Sequence, residues 1–193
     1  GLQLQALKSE IAAGSIDVNI MSKVDKANFS KDELYLGDDY TDALAAMRGF
    51  TQSNLDASII ISAGLNPRLF AYMERCEAFY PIASEPKKRI ILKVSDYRSA
   101  YIQAKMLAKR GLWISEFRVE SGLNCGGHAF ATEGFLMGPI LEEFKQKRTE
   151  LTAELWAIYN AALQSKGIQT AMIPQQKITV QGGIGTAEEH EFL

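Results

Sequence analysis

The sequence predicts an α/β fold, a parallel β/α barrel of the TIM type, present as a partial barrel lacking its first strand and its last strands. Three observations predict it. Short apolar stretches with a period of two recur at 16–21, 58–62, 89–94, 114–120 and 177–181. Between each and the next lies at least one stretch with helical spacing, and strands that alternate with helices make a parallel sheet. The chain has 193 residues, whereas a complete eight-stranded barrel takes about 250. A single domain over 1–193, the central fragment of a barrel, is therefore expected.

Leu2, Leu4, Leu7 and Ile11 recur at helical spacing up to Gly14, which predicts a helix closed by a glycine C-cap. The first strand follows, with Ile16, Val18 and Ile20 on one face and Asp17, Asn19 and Met21 on the other. Residues 22–40 are polar, charged and aperiodic, and read as a surface excursion with one helical turn at most. Helical spacing resumes at 41–50 through Leu44 and Met47.

After the second strand, Gly64-Leu65-Asn66-Pro67 breaks the chain, and Pro67 suits the first turn of a helix over 68–79. The third strand places Ile90, Leu92 and Val94 on one face and Arg89, Ile91 and Lys93 on the other. Asp96 is positioned to cap the next helix, which runs to Arg110, and Gly111 to stop it. Beyond the fourth strand, Gly138-Pro139 opens the longest helical pattern, with Ile140, Phe144, Leu151, Leu155, Tyr159 and Leu163 inward. A helix over 139–166 would be about 40 Å long at 1.5 Å per residue. That length predicts a kink near Arg148, or an arm that serves as a lid or a homo-oligomer contact. Thr186 and Glu189 then have the spacing of a capping box.

Composition narrows the function. With 21 basic against 23 acidic side chains and a net charge of -2, nothing electrostatic draws the chain to nucleic acid or a membrane. Two cysteines, Cys76 and Cys125, make neither a disulfide framework nor a metal cluster. No apolar run reaches the length of a membrane span and 2–14 lacks signal-peptide order, so a cytoplasmic setting is expected.

The polar residues of the strands fall at their C-terminal ends, where β/α barrels place their chemistry. Asn19, Ser62, Lys93, Arg118, Glu120 and Gln181 all have the parity that faces away from the helices. They are either satisfied interior hydrogen bonds and an Arg-Glu pair, or the floor of a ligand site. Ser121-Gly122-Leu123-Asn124-Cys125-Gly126-Gly127-His128 follows the fourth strand. There the glycines allow close approach of a flat ligand, and His128 titrates near neutral pH. A second pair, Gly182-Gly183, lies between a strand and a capped helix, an arrangement that can hold phosphate. Together these features point to a phosphorylated planar cofactor.

These residues resemble the nitronate monooxygenase family (2-nitropropane dioxygenases), FMN-dependent β/α barrels. Asp17-Val18-Asn19-Ile20 is similar to that family's Gly-Val-Asn-Leu strand, and Ile61-Ser62-Ala63-Gly64-Leu65-Asn66-Pro67 to its Gly-Ala-Gly-Leu-Pro turn. Leu92-Lys93-Val94-Ser95 is similar to Pro-Lys-Val-Ser. The segment 121–128 aligns without a gap on Gln-Gly-x-Glu-Ala-Gly-Gly-His, and Val180-Gln181-Gly182-Gly183-Ile184 on Ala-Ala-Gly-Gly-Ile. Ser121, Asn124 and Cys125 depart from the pattern. The resemblance implies that Asn19, Lys93, Ser121, Gly126, Gly127, Gly182 and Gly183 touch FMN and that His128 is catalytic. It further implies oxidation of a small nitronate-like carbanionic substrate, without a metal. The rival readings are a related flavin barrel, such as an enoyl reductase or a glutamate-synthase-like protein, and a non-catalytic barrel segment acting as an interaction domain.

Overall fold

The computed structural model describes residues 2–11, 14–20, 25–61, 66–82, 85–120, 137–169, 172–182 and 185–193, and the structural statements below concern these. The strands are β1 (Asp17–Ile20), β2 (Ala57–Ile61), β3 (Lys88–Val94), β4 (Ile114–Glu120) and β5 (Lys177–Gln181). They form one five-stranded sheet in chain order, and every neighbouring pair is parallel. Helices α2 (Asp42–Gln52), α3 (Pro67–Glu74), α4 (Tyr97–Ala108) and α5 (Met137–Ser165) connect the strands; α1 (Leu2–Glu10) precedes them and α6 (Ala187–Phe192) follows.

Parallel strands joined in chain order by right-handed crossovers carry all their helices on one face. The core agrees. Ile59, Ile61, Ile90, Leu92, Val94, Phe117 and Val119 share one buried cluster with Leu44 and Met47 of α2, Phe70 and Met73 of α3, Leu107 of α4, and Phe144, Leu155 and Tyr159 of α5. Residues of the opposite parity take the other face, and there the side chains are mostly polar. Ile60 and Ile91 are buried on that second face yet stand outside the helix-side cluster.

Local chemistry explains most element ends. The Asn66 side chain accepts a hydrogen bond from the Leu69 N–H at 3.1 Å, with Pro67 in the first turn of α3. The Asp96 carboxylate accepts from the Ser99 N–H at 2.7 Å and starts α4. Beyond α4 the chain reverses at Gly111, whose φ of +74° favours glycine; a Cβ there would also meet the Tyr80 ring at 3.2 Å and Leu163 at 3.3 Å. For α2 the cap comes from a distance, because Thr41 makes no side-chain cap and Asp25 accepts from the Ala43 N–H at 3.1 Å. That bond ties the excursion to the helix. Within it lie an antiparallel Phe29–Tyr35 bridge and one 3-10 turn at Asp38–Tyr40.

The structure shortens two of the expected helices. α1 stops at Glu10, so Gly14 is not its C-cap, and Leu4, Leu7 and Ile11 are exposed. Without a buried face, spacing alone does not sustain a helix to Gly14. α3 ends at Glu74 because the N–H groups of Arg75 and Cys76 bond three residues back, to Tyr72 and Met73, and tighten the last turn; a separate 3-10 turn at Glu77–Phe79 follows.

The long pattern, by contrast, is one continuous α-helix of 29 residues. All six apolar residues expected inward are buried, so the stripe that could have served a projecting arm is packed into the chain's own core. Lys88 at the start of β3 is only 1% exposed. Its ammonium donates to Ser53 Oγ at 2.8 Å and to the Leu55 carbonyl, and lies 4.8 Å from the Phe50 ring centre. Burial lowers its pKa, against the nearby Asp56 carboxylate.

Candidate functional site

The face away from the helices carries two groups of charges, one above the other along the strands. At the C-terminal end, Lys93 of β3 donates to Glu120 Oε1 of β4 at 2.9 Å, with the two side chains 19% and 8% exposed. Nearer the strand middles, Arg118 donates through Nε to Glu116 Oε1 at 2.8 Å and through Nη2 to Asp17 Oδ2 at 3.0 Å. Thr179 of β5 adds a donated bond to the same Glu116 oxygen at 2.5 Å. Burial works against the charge on Arg118, but the bonds to Glu116 and Asp17 outweigh it and raise its pKa.

The Arg118–Asp17 bond also reports the shape of the sheet. Asp17 is level with Arg89, four residues before Lys93, the partner of Arg118. In a flat sheet their Cα atoms would be about 19 Å apart, from three strand spacings of about 4.8 Å and four residue rises of about 3.3 Å. An extended Arg, an extended Asp and the bond between them reach only about 14 Å. The sheet must therefore curl towards this face, which makes it concave. Ile60 and Ile91 lie buried on this concave side.

Asn19 lies exposed on the concave face near the end of β1, paired with Ile60, which in turn pairs with Ile91. Lys93 is one step further along, at the rim. Gln181 pairs with Glu120 and leads into Gly182, whose φ of +83° favours glycine. The ends of β3, β4 and β5 thus meet at one rim, with Asn19 on the same face. Ser121, Gly126, Gly127, His128 and Gly183 lie outside the described residues, as do Ser62 and Cys125. Glu120, the last residue of β4, delivers the chain to this rim immediately before Ser121.

Beyond the Gly182-Gly183 pair the chain enters the cap of α6. The N–H groups of Gly185 and Thr186 donate to Glu189 Oε2 at 2.8 and 3.0 Å, and the Glu189 N–H donates to Thr186 Oγ1 at 3.2 Å. This is the capping box foreseen from the spacing. The bonds from Gly185 and Thr186 hold the Glu189 carboxyl below its usual pKa. They also leave the N–H groups of Gly185 and Thr186, just ahead of α6, engaged by Glu189. His190 is exposed on α6.

Sequence reasoning placed Arg118 and Glu120 on this face but missed their partners. Asp17 and Arg118 are 101 residues apart, and only the curl brings them together. Their shared parity was the one available signal. Among the described residues, no group of three His, Cys, Asp or Glu side chains is placed to hold a metal ion, and no helix is long and apolar enough to cross a membrane. The chain matches no family model, no curated protein and no solved structure.

Proposed function

We propose that the chain is the strand-end portion of an FMN-dependent oxidoreductase of the nitronate monooxygenase kind, built on part of a TIM-type barrel. The observation that carries this reading is the position of Lys93. It is a partly open cation at the C-terminal rim of a concave, polar sheet face, on the strand next to the one that leads into the Gly-Gly-His segment. The singly wound strand order supports it as well, because without a reversal of order there is no crevice between strands, and a ligand must lie across the strand ends.

The residues fit the ring side of FMN better than its phosphate side. Lys93 and Asn19 offer polar hydrogens on one face, suited to the edge of a flat heterocycle. The phosphate would rest on the Gly182-Gly183 turn and the N-terminus of α6, beside the Gly185 and Thr186 N–H groups that serve Glu189. When bound, FMN would supply the two-electron acceptor for a small nitronate-like carbanion. His128 would orient that substrate or hold its proton, and Lys93 would favour negative charge at the ring edge.

The test is made on the full chain. The purified protein should be yellow and release FMN on denaturation. His128→Asn should keep the flavin while slowing its reduction by a nitronate roughly 10²- to 10⁴-fold, and His190→Asn, at an exposed position, should leave the rate unchanged. A colourless protein that takes up no added FMN would overturn the reading and leave the interaction-domain alternative. Loss of flavin in His128→Asn would make that residue structural.

A further inference from the structure

We infer that Glu120 is a positioning residue for Lys93, one that cancels the charge Lys93 presents at the rim and so sets how strongly the site favours an anionic ligand. The inference rests on the flavin reading above.

Three observations carry it. The Lys93 ammonium and the Glu120 carboxylate are in contact at 2.9 Å, on adjacent strands. Glu120, 8% exposed, is held inside, while Lys93, 19% exposed, is the more open partner. Arg118 does not supply the balancing charge, since its guanidinium is bonded to Glu116 and Asp17 further down the face. A ligand approaching Lys93 therefore meets a cation and an anion together, and the pair is close to neutral at the rim. Opposite charges so close cancel most of each other's field a few ångströms away.

For a flavin the consequence is specific. Its oxidised ring is neutral, whereas its reduced ring is anionic near neutral pH, so Lys93 without the Glu120 carboxylate would favour the reduced form, and the Glu120 carboxylate without the Lys93 ammonium the oxidised one. The pair holds the preference between these limits. Glu120 thereby tunes the redox balance through Lys93.

The experiment is a charge cycle on the full chain with FMN as the probe. The ratio of dissociation constants for oxidised and reduced FMN is measured for the wild type, Glu120→Gln, Lys93→Met and the double variant. Thermal unfolding of each serves as a stability control. Glu120→Gln should shift the ratio towards the reduced form, and Lys93→Met towards the oxidised form, each on the order of tenfold. The double variant, again neutral at the rim, should return close to the wild type. A merely structural pair would lower the stability of both single variants without opposite signs in the ratio. Shifts in the same direction, or no shift in Glu120→Gln, would overturn the inference while leaving FMN binding intact. Failure of all four proteins to bind FMN would refute the flavin reading and this inference with it.

Discussion

Replacing Arg118 with Met should loosen β1 before it loosens anything else. The aliphatic stem is kept, so the loss falls on the guanidinium, which holds Glu116 on its own strand and Asp17 three strands away. Removing one partner of a buried ion pair costs about 3–5 kcal/mol. Here Asp17 is 27% exposed and regains some hydration, and Glu116 keeps the bond from Thr179, so about 2–3 kcal/mol is the better figure. Among the described residues β1 is an edge strand of four residues paired only with β2, and the loss should appear there as local opening. Hydrogen exchange of the β1 amides should quicken roughly 30- to 150-fold, at tenfold per 1.4 kcal/mol, while the amides of β3 change less. Adding Asp17→Asn and Glu116→Gln should recover much of the loss by removing the stranded carboxylates. Unchanged exchange in β1, with a fall in global stability alone, would refute the claim that this bond holds the curl.

Two further outcomes follow from the packing. Glu74 accepts bonds from Lys166 and Arg110, and the bond from Lys166, opposed by burial, contributes most to lowering its pKa. A depressed carboxyl pKa stabilises the fold above the unfolded value of about 4.3 and loses that effect as pH falls through the folded value. The urea midpoints of the wild type and Glu74→Gln should therefore differ fully at neutral pH and converge below about pH 4; a constant gap down to pH 2 would count against this. Leu155 on α5 is 2% exposed, so Leu155→Ala should cost about 2–5 kcal/mol in urea unfolding, and a loss under 1 kcal/mol would mean the site collapses around the cavity.

Legibility in the sequence followed the range of the forces involved. β4 and β5 have the expected bounds, because a period-two pattern with breakers on both sides is a local signal. The buried stripe of α5 was equally plain, since six apolar residues at helical spacing leave one face to bury. Local polar chemistry was readable too, in Asn66, Asp96 and the Thr186–Glu189 box. Long-range polar chemistry was not. Lys88, one residue before the expected third strand, is part of β3 and buried because Ser53, the Leu55 carbonyl and the Phe50 ring receive its ammonium. Asp25 capping α2 from 18 residues away is invisible for the same reason. At the candidate site, strand parity gave the face and the rim, but the pairing of Lys93 with Glu120 and of Arg118 with Asp17 depends on strand order and curl.

The direction of α5 divides the molecule into two rims that can tolerate very different histories. Phe144 packs on Tyr97 at the start of α4, while Tyr159 packs on Trp113 just before β4, so α5 begins at the rim where the strands end. Glu120 and Met137, which bound the segment 121–136, both lie at that rim, as does Ile20 at the end of β1. A segment with both ends anchored on rigid elements at the same rim can be lengthened at about 0.6 kcal/mol per doubling. At the opposite rim the turn through Gly111 is wedged against Tyr80 and Leu163 and has no such freedom. Insertions, grafts and randomised libraries therefore belong on the first rim, where the chain can acquire new chemistry without putting its core at risk.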